Sequence, residues 1–202
     1  DSFTVDVTPV DDAPEVINGI VDVSVEEDAS DFIVSLTNVF NDVDDDNASI
    51  VKTVQANTNP GLLTATISVN DLILDFQPNS YGSTTITVRG TSNGKTVEEL
   101  FEVNVSPVDD KPVVINSITD VFVEEDASDF IVSLANVFND VDDDNDSIVK
   151  SVQANSNSGV VIATVAGDAL TLDFQPDQFG NATITVRGTS NGKTAEDSFE
   201  VN

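Results

Sequence analysis

The chain has 202 residues, with 37 acidic and 7 basic side chains, no histidine and a formal charge of −30. This balance argues against nucleic acid or an anionic membrane surface as a partner, because like charges repel, and makes cations the expected ligands. Cysteine is absent, so no disulfide supports the fold, and no apolar run is long enough to predict membrane insertion. Disorder is the alternative at such a charge, but 39% apolar residues and 11 phenylalanines in strand-like runs predict folded domains.

The sequence contains two copies of one unit. Residues 25–47 recur as residues 123–145 with a single change, Thr37 to Ala135, and the offset of 98 residues is constant. Near-identical tandem copies are typical of arrays of interchangeable domains, and one copy has the length of a small domain. We predict one repeat over residues 13–108 and a second over residues 109–202. Residues 1–12 match the end of the first repeat, so we interpret them as the last strand and linker of a preceding repeat in a longer array.

Apolar residues alternate with polar ones in seven runs of the first repeat. The predicted strands are residues 21–25, 31–36, 49–56, 62–69, 72–76, 84–91 and 96–105. Turn sequences such as Asn59-Pro60-Gly61 and Asn93-Gly94 separate these runs, and helical spacing is not sustained anywhere. The second repeat follows the same pattern. We therefore predict an all-β chain of two tandem Greek-key β-sandwiches, immunoglobulin-like or cadherin-like, with almost no helix. Two prolines stiffen each linker, at residues 8–14 and 106–112.

Three further pairs of residues carry simple structural expectations. The strand pattern predicts that Lys52 and Lys150 are exposed rather than crosslinked. Outward-facing ion pairs are expected at Arg89 and Arg187. Core or corner packing is expected for the aromatic residues at position 81 and its equivalent, which are Tyr81 and Phe179.

Acidic clusters are the residues with the clearest chemistry. In the first repeat they are Glu26-Glu27-Asp28 and the DVDDDN loop of residues 42–47, followed by the linker pair Asp109-Asp110. Ca²⁺ takes six to eight oxygen ligands, and carboxylates at alternate positions can surround one ion. A solvated surface turn is the alternative interpretation. An EF-hand is excluded, because Asn47 and Thr53 stand where that loop needs Gly and Glu.

These motifs together resemble the cadherin-like tandem repeats of large bacterial surface and secreted proteins. Glu27 and Glu125 are similar to the Glu near the end of that family's first strand, and Asp42-Val43-Asp44 and Asp140-Val141-Asp142 are similar to its DxD loop. Leu74-Asp75-Phe76-Gln77 resembles its LDRE segment, and VDDKP at residues 108–112 resembles the end of its linker motif. The resemblance implies Ca²⁺ at the junction between successive repeats. The ligands it implies there are Glu27, Asp75, Asp109, Asp110, Asp140, Asp142 and Asp144, with Asp11, Asp42 and Asp44 as the equivalent cluster of the first repeat.

Departures from the family pattern reduce the expected number of ions. Ser106 and Thr8 replace the first linker Asp, and Thr91 or Ser92 stands where another Asp is expected. We therefore expect one or two Ca²⁺ ions at the central junction rather than three. The cluster of the first repeat lacks a preceding Glu, and Glu125 and Asp173 lack a following linker, so both end sites are expected to bind poorly.

An enzyme is the least favoured class, because the chain has no histidine, no cysteine and no phosphate-binding glycine loop. The leading hypothesis is a Ca²⁺-rigidified structural or adhesion module, in contact with neighbouring repeats of the same chain, in an extracellular stalk on a bacterial cell surface. The alternative is direct binding to carbohydrate or to a like chain. The absence of tryptophan and the presence of one tyrosine argue against a sugar platform, whereas the apolar face of residues 3–7 favours pairing with a neighbouring molecule.

Overall fold

The structure is a computed structural model that describes residues 2–202. Its residues form two compact units, one up to Val108 and one from Asp109 onward. About 50% of the residues are in strands and 3% in helices. The prediction of an all-β chain with almost no helix is therefore confirmed. Among the described residues, no helix has the length and apolar character needed to cross a bilayer.

Nine strands build unit one over its described residues, 2–108. They are β1 (Glu15–Val16), β2 (Val23–Glu26), β3 (Phe32–Ser35), β4 (Phe40–Asn41), β5 (Val51–Asn57), β6 (Leu63–Ser68), β7 (Asp71–Phe76), β8 (Gly82–Ser92) and β9 (Lys95–Ser106). One sheet has the order β2-β9-β8-β5, the other has the order β3-β7-β6, and β1 pairs with β4. The pairings are antiparallel except that of β2 with β9, which is parallel. The seven predicted strands are confirmed to within about two residues at each end.

The core of unit one lies between the two sheets. Leu72 and Leu74 of β7 are fully buried, as are Ile86 and Val88 of β8. Each pair is separated by one residue that is less buried, because successive side chains of a strand point to opposite faces. The period-two pattern in the sequence therefore marks the residues that fill the sandwich.

Unit two repeats this architecture. Its strands are β10 (Val113–Val114), β11 (Phe130–Ser133), β12 (Phe138–Asn139), β13 (Val149–Asn155), β14 (Val161–Ala166), β15 (Ala169–Phe174), β16 (Ala182–Ser190) and β17 (Lys193–Val201). The sheets have the orders β13-β16-β17 and β11-β15-β14, and β10 pairs with β12. In place of a strand equivalent to β2, unit two has a single parallel bridge between Val121 and Val201.

Residues 2–14 belong to unit one and form no strand. The apolar side chains of Phe3, Val5 and Val7 are 88%, 70% and 83% exposed. The segment therefore presents an apolar row to solvent, as its alternating sequence predicts.

Two expectations about individual side chains are wrong. Tyr81 and Phe179 are 59% and 83% exposed, because each lies in the loop before β8 or β16, and in unit one Phe76 contributes the buried ring near that loop instead. The side chain of Lys150 is only 4% exposed, because Lys150 occupies an inward position of β13 on the same side as Val152. Lys52 is half-buried at the equivalent position of β5, so the expectation is wrong for both lysines. By contrast, the outward ion pairs are confirmed, with Arg89 to Glu98 and Arg187 to Glu196 both at 2.6 Å.

Candidate metal site

The acidic loop of unit one is wound around the carboxylate of Asp42. This residue follows β4 directly and is 5% exposed. Its Oδ1 accepts hydrogen bonds from the backbone N–H groups of Asp44 (3.0 Å) and Asp45 (3.3 Å), while its own N–H donates to Asn47 Oδ1 at 2.7 Å. The other carboxylate oxygen of Asp42, Oδ2, is buried and has no hydrogen-bond partner.

Unit two has the same arrangement around Asp140, which is also 5% exposed. Asp140 Oδ1 accepts the N–H of Asp142 at 3.1 Å, and the N–H of Asp140 donates to Asn145 Oδ1 at 2.8 Å. Asp140 Oδ2 is again buried and unpartnered. Leaving a buried charged acceptor without a partner costs more than the ~1–3 kcal/mol typical of a neutral group. The two equivalent unpartnered oxygens, Asp42 Oδ2 and Asp140 Oδ2, therefore indicate a place for a cationic ligand.

In unit two, the linker aspartates are held against the same loop. The backbone N–H of Asp110 donates to Asp142 Oδ2 at 2.6 Å. Asp109 Oδ1 accepts a hydrogen bond from Asn191 Nδ2 at 2.8 Å, and Asp109 Oδ2 lies 3.1 Å from Lys193 Nζ. The hydrogen bond from Asn191, followed by that from Lys193, lowers the pKa of Asp109. Asp109 is therefore ionised at neutral pH but already has a cationic partner.

Unit one has the same linker contacts. The N–H of Asp12 donates to Asp44 Oδ2 at 2.6 Å, and Asp11 accepts from Asn93 at 3.0 Å and pairs with Lys95 at 3.2 Å. The hydrogen bond from Asn93, followed by that from Lys95, lowers the pKa of Asp11. The lysines at these sites are not predictable from local sequence, because 84 residues separate Lys95 from Asp11.

A third aspartate of each loop also has hydrogen-bond partners. Asp45 Oδ2 accepts hydrogen bonds from Ser92 Oγ (3.1 Å) and Asn93 Nδ2 (2.6 Å), and Asp143 Oδ2 accepts the equivalent pair from Ser190 and Asn191. The sequence pattern indicates only that a ligand is lost at Thr91 or Ser92. The structure shows that Ser92 supports the loop through its hydrogen bond to Asp45.

Glu27 directly follows β2 and is 5% exposed. Its Oε1 accepts the N–H of Val108 at 2.6 Å, and its own N–H donates to Ser106 O at 2.9 Å. Glu27 Oε2 is the third buried carboxylate oxygen without a partner. Glu27 therefore combines a contact to the end of the linker with a free acceptor. The equivalent residue in unit two, Glu125, is exposed.

The remaining candidates have other local contacts. Asp144 is exposed and caps the short 3-10 helix Asn145–Ser147, accepting the N–H of Asp146 at 3.1 Å. Asp75 is exposed on β7 and accepts a hydrogen bond from Thr64 at 3.4 Å. Within residues 2–202, no three acidic side chains form a group arranged to hold a metal ion. The structure does bring Asp42 together with Asp44 and Asp140 together with Asp142, and calcium ligation by the ten residues stays a prediction.

Comparison with known proteins gives structural similarity alone. No family model matches the sequence, and no curated protein matches it either. A crystal form of human protocadherin-24 EC1-2 aligns at a TM-score of 0.48 and 13% identity over 94% of this chain and 97% of that one. Protocadherin gamma B7 extracellular cadherin domains 1-4 align at 0.46 and 15% over 94% of this chain and 49% of that one.

An endo-fucoidan hydrolase from glycoside hydrolase family 107 also aligns, at a TM-score of 0.42 and 14% identity over 97% of this chain. The chain spans 29% of the length of that hydrolase. The solved structures similar to this chain thus include both cadherin domains and a larger enzyme. Similarities at this level establish neither a family nor an activity.

Proposed function

We propose that this chain is a calcium-binding structural module of the adhesion type, without enzymatic activity. The observation that carries the proposal is the pair of buried, unpartnered oxygens, Asp42 Oδ2 and Asp140 Oδ2. Each belongs to a carboxylate already held in place by backbone N–H groups. Fixed, buried oxygen donors of negative charge are what Ca²⁺ prefers in proteins.

The residues proposed to hold the ion between the repeats are Asp140 and Asp142 of the loop, Asp109 and Asp110 of the linker, and Glu27. The covalent chain supports including Glu27. The Glu27 carboxylate accepts the N–H of Val108. The next residue along the chain is Asp109, which accepts a hydrogen bond from Asn191 of unit two. Asp75 and Asp144 are weaker candidates. Asp75 is exposed and accepts a hydrogen bond from Thr64, and Asp144 already acts as a helix cap.

The proposed role of the ion is to stiffen the connection between repeats. A chain with a charge of −30 carries strong self-repulsion. A divalent cation bound among these carboxylates removes part of it and ties the linker to both flanking repeats. Because one candidate ligand of each unit is already paired with a lysine, Asp11 with Lys95 and Asp109 with Lys193, we expect weak affinity, in the range of about 10⁻⁴–10⁻³ M found in extracellular modules. With the motif resemblance, this supports a place in an extracellular stalk on a bacterial cell surface.

Isothermal titration calorimetry tests the binding of Ca²⁺ to the chain. The variants Asp42→Asn and Asp140→Asn keep the side-chain shape and remove the charge that the ion needs. We expect each to weaken or abolish one class of sites by at least about tenfold, since fewer carboxylates lower calcium affinity. The matched control is Asp146→Asn. Asp146 is exposed in the short 3-10 helix that follows the acidic loop of unit two, and its substitution is expected to leave binding unchanged. Absence of binding to the unsubstituted chain at about 10 mM Ca²⁺, beyond the weakest extracellular modules, contradicts the proposal.

Small-angle scattering tests the stiffening separately. The scattering curve in EDTA is expected to require a broad ensemble of arrangements, and the curve in Ca²⁺ a narrow one. If Ca²⁺ binds but the two curves superimpose, calcium binding stands and the stiffening role is wrong.

A further inference from the structure

The hairpin turn between β16 and β17 lies against the linker of unit two. Ser190 and Lys193 are the paired residues that end the two strands, so the turn itself consists of Asn191 and Gly192. The φ angles of these two residues are 46° and 83°. A two-residue hairpin turn with positive φ at both positions favours Asn-Gly. The turn therefore presents the side chains of Ser190, Asn191 and Lys193 together at one end of the sheet.

Each oxygen atom of Asp109 has a partner at this turn. Lys193 Nζ lies 3.1 Å from Asp109 Oδ2 and also donates to the backbone carbonyl oxygen of Asp109. Asn191 Nδ2 donates to Asp109 Oδ1 at 2.8 Å. Carboxylate and carbonyl oxygens are also the ligands that Ca²⁺ takes in proteins. The Lys193 ammonium thus bridges two oxygens that a metal ion at the linker would use.

The same turn also binds the acidic loop of unit two. Asn191 Nδ2 donates to Asp143 Oδ2 at 2.7 Å, and Ser190 Oγ donates to the same oxygen at 3.0 Å. The linker contacts this loop as well, because the N–H of Asp110 donates to Asp142 Oδ2 at 2.6 Å. Groups of the protein itself therefore connect the linker, the loop and the turn to one another.

Unit one repeats the arrangement with the turn sequence Ser92-Asn93-Gly94-Lys95. Lys95 Nζ lies 3.2 Å from Asp11 Oδ2 and also donates to the backbone carbonyl oxygen of Asp11. The chain has only seven basic residues against 37 acidic ones, and two of the seven take this position. A cation on the equivalent linker aspartate of both units reduces the local repulsion in a chain of such high negative charge. The two lysines therefore have the placement of counter-cations.

We propose that Lys95 and Lys193 are internal counter-cations that hold the linker aspartates in calcium-free solution and compete with Ca²⁺ for them. The competition rests on the calcium binding proposed above. Ca²⁺ binds oxygen at about 2.3–2.6 Å, so an ion on Asp109 Oδ2 lies close to the Lys193 ammonium, and the two cations repel each other. The buried oxygen Asp140 Oδ2 has no hydrogen-bond partner and is open to the ion. The lysine therefore lowers the affinity at the linker side without abolishing the site.

The Lys193 ion pair is weak enough for a divalent cation to displace. The side chains of Lys193 and Asp109 are 44% and 35% exposed, and ion pairs exposed to this degree contribute little to stability. When Ca²⁺ takes the Asp109 carboxylate, the N–H of Asp110 keeps its bond to Asp142. Binding therefore exchanges one cation for another, and the linker stays attached to the loop of unit two in both states.

Calorimetric titration of the whole chain with Ca²⁺ measures the competition, in an Asp42→Asn background that leaves only the loop of unit two to bind. Lys193→Gln removes the ammonium and is expected to lower the Kd by about twofold to fivefold, the range that an exposed ion pair allows. Lys193→Arg keeps a cation at this position and is expected to bind like the chain with Lys193. Lys111→Gln is the matched control, because Lys111 is an exposed lysine of the same linker, and it is expected to change the Kd less than Lys193→Gln does.

Hydrogen exchange in EDTA tests the hold on the linker separately from calcium. The Asp110 amide is expected to exchange at least about threefold faster in Lys193→Gln than in Lys111→Gln, because losing the ion pair makes local opening of the linker easier. Equal exchange in these two variants, or equal Kd values for Ca²⁺, overturns the proposal. If no chain binds Ca²⁺, the proposed calcium function is wrong and the competition with it, whereas the exchange rates still show whether Lys193 holds the linker.

Discussion

Lys150 Nζ lies 2.8 Å from Asp168 Oδ1, whereas the equivalent lysine of unit one, Lys52, donates to the neutral side chain of Asn70 at 2.9 Å. Both lysines occupy the second position of the strand that follows the acidic loop, and both reach the turn between the next two strands. The Lys150 side chain is 4% exposed and that of Asp168 is 45% exposed. The two units thus hold the same lysine with different partners.

Exchanging these partners is expected to change stability in opposite directions. Asn70→Asp gives Lys52 an anionic partner and is expected to raise the free energy of unfolding of unit one by about 1 kcal/mol, a value discounted because the carboxylate is partly exposed. Asp168→Asn is expected to lower that of unit two by a similar amount. Urea unfolding measures both. Asp71→Asn, on the exposed neighbour of Asn70, is the control. Stabilisation by Asp168→Asn contradicts the account.

Burial of Lys52 makes the stability of unit one depend on pH in the alkaline range. Burial lowers the pKa of Lys52 below its usual 10.5. The unfolded chain therefore binds more protons than the folded one between the lowered pKa and 10.5, so stability is expected to increase as pH rises through that window. Lys52→Met removes the titrating group and is expected to flatten this increase. Urea unfolding midpoints measured across this pH window test the expected increase in stability. Identical pH profiles for the unsubstituted chain and Lys52→Met exclude Lys52 as its cause.

Val69 adopts a backbone conformation that disfavours a β-branched residue. Its φ is 58°, its side chain is 89% exposed, and its equivalent in unit two is Gly167 with φ 59°. The left-handed conformation costs a residue with a Cβ roughly 1–2 kcal/mol, so Val69→Gly is expected to stabilise unit one by about 1 kcal/mol after the entropy cost of glycine. Gly167→Val is expected to destabilise unit two. Calorimetric melting of the two variants shows whether each raises or lowers the stability of its unit. Destabilisation by Val69→Gly contradicts the prediction.

Gly188 allows β16 to pack closely against a buried ring. A Cβ at this position lies 2.7 Å from Phe138 Cγ, and Phe138 is 1% exposed. Gly188→Ala therefore forces the ring or the strand to move, at about 1–3 kcal/mol. Gly159→Ala, whose Cβ meets only Asn157 Oδ1 at 3.5 Å, is a control with ordinary contacts. Equal stability of the two variants in guanidinium unfolding contradicts the packing.

Period-two alternation was sufficient to predict the seven longer strands of unit one, because each has one face that belongs to the core or packs against it. The pairs Glu15–Val16 and Phe40–Asn41 were missed, since a two-residue strand has no period. Asp42 was predicted as a ligand from its spacing, but its orphaned oxygen depends on how the loop folds around it. The pairing of Lys193 with Asp109 joins residues 84 positions apart and leaves no local signal.

The lack of a local sequence signal also explains why Lys150 was wrongly expected to be exposed. Its position in β13 faces inward, and alternation alone does not show which face of a strand is covered when a lysine shares it with Val152. A long side chain can bury its methylene groups while its ammonium reaches a partner in a neighbouring turn. Asp168 is that partner, and its approach is a property of the folded unit.

Thermal unfolding in EDTA and in Ca²⁺ tests calcium binding by the two acidic loops most directly. In EDTA, the double variant Asp42→Asn, Asp140→Asn is expected to melt higher than the unsubstituted chain, because it removes two buried unpartnered charges. In Ca²⁺ the order is expected to reverse, since a ligand at a hundredfold excess over its Kd stabilises the native state by about 2.7 kcal/mol per site. An unsubstituted chain whose Tm does not respond to Ca²⁺, or a double variant that responds equally, contradicts the account.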